Sequence, residues 1–216
     1  RPYYWCSREG KGPVSAKEQL TPECDEVVKI DDDFQKVLTV FKTLDQFSGL
    51  AMRKKFMDLS FHKDIFPCHV YPFASIFKNH PIVFLKDYNV AVRIDSSQTR
   101  SLSSIYNKSP VQSWVDMFNN VFYEKKYRKL KAKFIRDFVA INYIGLVQIR
   151  NYAEYRYLLR EIYLLIKYRW QNVFNPVFWF FSLGCLFTPG LILIPLVDWY
   201  KNNINARNLT GIKICN

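Results

Sequence analysis

The sequence predicts a mainly helical, membrane-anchored protein with an extended N-terminal arm, a β-hairpin and one proline-kinked transmembrane helix near the C-terminus. Three observations carry that prediction. From Pro176 to Val197 the chain runs 22 residues without a charged side chain. From Val111 to Trp170 it holds no proline and a single glycine, Gly145, which is the composition of sustained helix. The formal net charge is +12 over 216 residues, and from Lys125 to Arg169, just before the apolar run, 12 Lys/Arg stand against 3 acidic groups.

Residues 1–30 read as an extended arm, because Gly10, Gly12, Pro13 and Pro22 punctuate them and no periodicity runs through them. The arm is mildly acidic: residues 1–33 hold 8 of the 19 acidic groups against 5 basic ones. Residues 31–110 are expected to form a small helix-and-hairpin region facing the cytosol or matrix. Asp31 to Asp33 supply an N-cap and complement the positive end of a helix dipole. Phe34, Val37, Leu38, Phe41 and Leu44 then recur at helical spacing, which predicts a helix to about Phe47. Ile82 to Ile94 carries two β-rich runs around Lys86-Asp87-Tyr88-Asn89, which predicts the hairpin. Ser96 to Ser104 reads as a surface loop.

Residues 111–170 are expected to be a basic, aromatic-rich helical region at a membrane surface. Seven of the twelve residues from Lys125 to Arg136 are basic. Lys125, Lys126, Arg128, Lys129, Lys131, Lys133 and Arg136 are assigned to anionic head groups, at about 1 kcal/mol per well-placed charge. Lys167 and Arg169 are assigned the same contact, their long stems snorkelling at the boundary. The uncharged segment 138–149 extends only about 18 Å as a helix, short of a hydrocarbon core of about 30 Å. It suits a buried or interfacial helix.

Residues 171–198 are the expected transmembrane helix, and 199–216 a short tail on the opposite side. As one helix the 22 uncharged residues would extend about 33 Å. Asn175-Pro176 offers an N-cap followed by proline where its missing N–H costs nothing. Trp170 and Phe174 at one end, with Trp199 and Tyr200 at the other, are placed as interfacial anchors. Pro189 removes the hydrogen bond to the Cys185 carbonyl and should kink the helix. Ser182, Gly184, Cys185, Thr188 and Pro189 form the expected helix-packing face, small enough to admit a close neighbour. Two competing readings are a re-entrant helical hairpin turning at Thr188-Pro189-Gly190 and a fully buried core helix. The excess of Lys and Arg before the span places the bulk of the chain on the matrix or cytosolic side.

No nucleophile elbow, phosphate loop, dinucleotide fingerprint, zinc-protease or EF-hand pattern occurs, so no enzymatic activity, cofactor or small-molecule substrate is expected. His62, Cys68, His69 and His80 fall within 19 residues, but adjacent Cys68-His69 cannot readily face one ion and no metal is assigned. The five cysteines lack the dense pairing of a disulfide framework. The chain begins at Arg1, which a cleaved organellar presequence would account for. The function expected is therefore that of a non-catalytic accessory subunit of a multi-subunit mitochondrial inner-membrane complex, of the respiratory-chain or ATP-synthase sort. Its partners would be neighbouring subunits and anionic lipids, cardiolipin among them. One alternative is a basic RNA-contacting protein of an organellar ribosome, although nucleic acid is not the favoured partner. Another is a secretory-pathway membrane protein, a channel or lipid-handling component, for which the Asn208-Leu209-Thr210 sequon would lie on the outer side.

Overall fold

The computed structural model describes residues 3–6, 13–16, 23–44, 49–57, 62–64, 66–87, 90–93, 104–189, 191–193, 195–196 and 199. The protein is mainly helical and divides into two compact units. The first comprises Arg1–Ser60, Pro72–Gln98 and Val197–Asn216, the second Phe61–Tyr71 and Thr99–Leu196. The predicted loop 96–104 lies almost wholly outside the described residues, and Tyr200 and the Asn208 sequon lie outside them entirely.

In the first unit the arm supplies strands. β1 (Tyr3–Cys6) pairs antiparallel with β2 (Pro13–Ala16), while β3 (Glu26–Val28) begins a second, two-stranded sheet. α1 (Phe34–Lys42) starts as its sequence requires, with the Asp33 carboxylate accepting from the Gln35 amide at 2.8 Å. Its Val37, Leu38, Val40 and Phe41 are buried. α2 (Val70–Asn79) contributes Phe73 and Phe77, whose rings stand 6.4 and 6.1 Å from that of Phe41 and 5.8 Å from each other. Aromatic rings tilted or edge-on at such spacing favour the contact beyond area alone.

The expected hairpin does not form. β4 (Ile82–Phe84) pairs antiparallel with β3, and β5 (Val90–Arg93) pairs in parallel with β1. The physical reason lies in the connection, Lys86 to Asn89, which lacks the Asn-Gly or Gly pair that a tight hairpin turn demands. Each run instead takes a partner strand from the N-terminal arm, so alternation identified the strands but not their neighbours.

The second unit is built from helices. α3 (Pro110–Val121) buries Val111, Val115, Met117, Phe118 and Val121. α4 (Arg128–Asp137) lays only Phe134 into the core, stacked on Phe118 with ring centroids 4.8 Å apart. A short 3-10 turn, Val139–Ile141, leads to α5 (Ile144–Tyr152). α6 (Tyr155–Tyr168) buries Leu158, Glu161, Leu164 and Leu165. A second 3-10 turn, Trp170–Phe174, delivers the chain into α7 (Pro176–Phe187).

The single kinked span is also not what forms. α7 is 12 residues, about 18 Å, and ends where Thr188 turns to the extended conformation at ψ 125. Residues 191–193, 195–196 and 199 are helical again, and the amides of Ile192 and Leu193 donate to the Pro189 carbonyl at 2.9 and 3.0 Å. The clash between a proline ring and the preceding residue disfavours the helical region for that residue. Thr188 obeys this steric rule, so Pro189 breaks the helix and starts another where a kink was expected. Among the described residues no helix is long and apolar enough to cross a membrane.

Candidate functional site: an apolar helical face

α7 is apolar almost all round, and only one side of it is covered. Phe178, Ser182 and Cys185 are buried, and α7 lies along α5, with the Phe178 ring 5.6 Å from that of Tyr143. Phe180, Leu183 and Phe187 project from the opposite side, as 100° per residue requires. Phe180 is 74% exposed and Phe187 78%. Phe174, Leu191, Ile192 and Leu196 are exposed as well. Tyr155, Leu159 and Tyr163 on α6 and Ile144 on α5 are also exposed. Monomeric proteins seldom leave so many large apolar side chains open together.

A buried polar hub fixes the start of this face. Asn172 is fully buried, and its side-chain oxygen accepts from Tyr143 Oη and Arg169 Nη1, both at 2.7 Å. Its amide nitrogen donates to the carbonyls of Ala140 at 2.8 Å and Leu165 at 2.9 Å. Asn175 joins the hub through Nδ2, which donates to Tyr143 Oη at 3.2 Å, and caps α7 through Oδ1, which accepts from the Val177 amide at 2.9 Å. These hydrogen bonds specify the geometry, while the neighbouring Arg169 Nε is buried with no partner among the described residues. Together the hydrogen bonds lock the elbow between α6 and α7. At the far end Tyr155 Oη reaches the Leu186 carbonyl at 3.4 Å.

A second buried group, Glu161, anchors α6 against the start of α3. One carboxylate oxygen accepts from the Val111 amide at 2.8 Å, and the other from the Ser109 hydroxyl, itself the N-cap of α3. Burial pushes the Glu161 carboxyl above its ordinary value, with the Ser109 and Val111 hydrogen bonds and the Arg160 charge opposing it. The arrangement can orient two helices. It exposes no acid or base to solvent.

The residues singled out by sequence are distributed as follows. Lys125, Lys126, Arg128, Lys129, Lys133 and Arg136 are exposed and Lys131 is half-buried. Lys126 pairs with Glu124 at 3.1 Å and Arg136 with Asp137 at 2.7 Å. Lys167 is exposed, while Arg169 is half-buried with its guanidinium in the Asn172 hub. Trp170, Phe174 and Trp199 are exposed. Of the expected packing face, Ser182 and Cys185 are buried within the chain's own fold, whereas Gly184 opens onto empty space and Pro189 is exposed. Burial pushes the Cys185 thiol up to about 11, although the Arg150 charge opposes it. At neutral pH it is therefore a thiol that packs, not a thiolate that reacts.

The histidines have separate surroundings. His62 stacks on Tyr71 with centroids 4.0 Å apart, and His80 on Phe56 at 4.3 Å. Cys68 Sγ and His69 Nδ1 are 3.8 Å apart. Among the described residues no three His, Cys, Asp or Glu stand together to hold a metal. Sequence reasoning missed both Glu161 and Asn172. The first left a signal, since an acid at 161 interrupts the apolar stripe of Leu158 and Leu165, whereas Asn172 left none. Compared with known proteins, the chain matches no family model, no curated protein and no solved structure.

Proposed function

We propose that the chain is a non-catalytic structural subunit of a multi-subunit assembly, docked through the α7 face onto apolar surface of its neighbours. An inner-membrane complex of the respiratory-chain or ATP-synthase sort is the setting the reading favours. The observation that carries it is the stripe of Phe180, Leu183 and Phe187, standing open opposite a helix side already packed at home. The stripe is mounted on a locked elbow, so it is presented in one orientation and its docking loses little conformational entropy. The cationic surface of α4 and the turn before it, where Lys125, Arg128, Lys129 and Lys131 meet no acidic partner among the described residues, supports anionic lipid or acidic protein beside it. The reading needs contact with apolar surroundings, not passage through a bilayer.

The test is isolation of the native protein from its source membranes in mild detergent, followed by identification of what co-migrates. The chain should run in a particle far larger than its own 25.7 kDa, with a fixed set of companions. A monodisperse monomer, stable without detergent, would overturn the reading. Co-migration with ribosomal RNA would replace it with the RNA-contacting one.

A further inference from the structure

The first unit contains a cleft of about 610 Å³, within the range of about 300–1,000 Å³ typical of ligand pockets. Its inner wall is apolar: Val40, Leu44, Phe73, Ile76 and Phe84 line it and are all buried. The polar side chains at its edge are cationic or neutral. Arg53 and His80 belong to the lining and are exposed, and the described lining residues include no carboxylate. His80 is held in place by its stack on Phe56 at 4.3 Å. Lys55 lies beside them, its Nζ 4.9 Å from the centre of the Phe56 ring.

Arg53 makes no ion pair among the described residues. Two acids of the same unit are engaged elsewhere: Glu26 with Lys36, and Asp25 with the Lys86 amide at 2.8 Å. A guanidinium at the mouth of an apolar cleft offers a planar fork of donors that matches a carboxylate in two parallel hydrogen bonds. The wall beyond it is mostly hydrocarbon, with Thr43 its polar side chain. A ligand complementary to both parts has one apolar chain and one anionic end.

We propose that this cleft binds a long-chain carboxylate, with its hydrocarbon chain along Val40, Leu44, Ile76 and Phe84 and its head group on Arg53. The site belongs to the first unit, and its assignment does not depend on what the α7 face docks onto.

Titrating the full-length chain with a fluorescent polyene fatty acid tests the assignment, with palmitate and hexadecanol as competitors. Saturable binding at one site is expected, displaced by palmitate at least tenfold more effectively than by hexadecanol. Arg53→Glu should weaken palmitate at least tenfold and leave hexadecanol unchanged. Ile76→Trp, which fills the cleft, should remove both, with circular dichroism reporting whether that variant folds. Since Arg53 is exposed, its variant decides the head-group assignment even if Ile76→Trp unfolds. Absence of saturable binding would overturn the proposal. Equal displacement by acid and alcohol, or binding indifferent to Arg53→Glu, would overturn it as well.

Discussion

α3 and α7 are both twelve-residue helices begun by the same device, a capping side chain followed by proline. They end in opposite surroundings. Ser109-Pro110 opens a helix whose buried side carries Val111, Val115, Phe118 and Val121, and whose outward positions carry Asn119 and Asn120. Asn175-Pro176 opens a helix whose outward positions carry Phe180, Leu183 and Phe187. The start of a helix is therefore coded locally, by an oxygen that accepts a free amide and a ring that has none to spare. Its destination is coded by the far face. α3 completes the second unit, and α7 leaves half of its binding capacity unused.

Three variants probe that contrast, the first being the most damaging. Phe118 is fully buried between Trp114, Phe122 and Phe134, so Phe118→Ala should cost about 3–5 kcal/mol in urea unfolding, as large-to-small core changes do. A loss below about 1 kcal/mol would mean that α3 is not the packed helix it is taken for.

The second is a matter of pH. The folded protein holds the Glu161 proton above the ordinary carboxyl value of 4.5. Stability from this group is therefore complete below that value and declines as pH rises through the folded pKa. In Glu161→Gln the decline should vanish, so urea midpoints of the two proteins should converge or cross as pH rises above the ordinary carboxyl value of 4.5. Asp137, held low by Arg136, acts in the opposite sense and only as pH falls below its own ordinary value of 3.8, which keeps the two windows apart. Parallel profiles would show that Glu161 carries no shifted proton. The effect belongs to the start of α3; α7 is capped by a neutral amide and should be insensitive.

The smallest stability change is expected on α7. Phe180→Ser with Phe187→Ser should alter the urea-unfolding free energy of the isolated chain by no more than about 0.5 kcal/mol, the range for surface positions. The same pair should abolish co-migration with its companions and lower the detergent the chain requires. A stability loss comparable to that of Phe118→Ala would make the stripe part of the core.

Sequence conveyed what is local. Asp33 caps α1 and Asn175 caps α7 where their neighbours in the chain indicate. α2 escaped notice because its first turn has no polar cap; Val70 and Tyr71 close instead on the Pro67 carbonyl, at 2.9 and 3.2 Å. Strand pairing was out of reach for a different reason. Tyr3 sits opposite Val90, and alternation within one segment carries no information about a partner so distant in the chain. The break at Thr188 was legible in principle, since the restriction on a residue before proline is purely steric. Of the interaction face, its apolar character could be read directly. Which side of α7 would be spent on α5 could not.

The Asn172 hub limits what chemistry can occupy its position. Two carbonyls demand donors and two donors demand an acceptor, so the site requires a side chain offering both from one carbon. Aspartate would bring oxygen to the carbonyls of Ala140 and Leu165 and repel both. Glutamine has the right atoms one methylene too far out, and a hydroxyl has too few. The hydrogen bonds therefore select asparagine at 172, and deamidation there would set a carboxylate oxygen against the carbonyls of Ala140 and Leu165 as well as adding a charge.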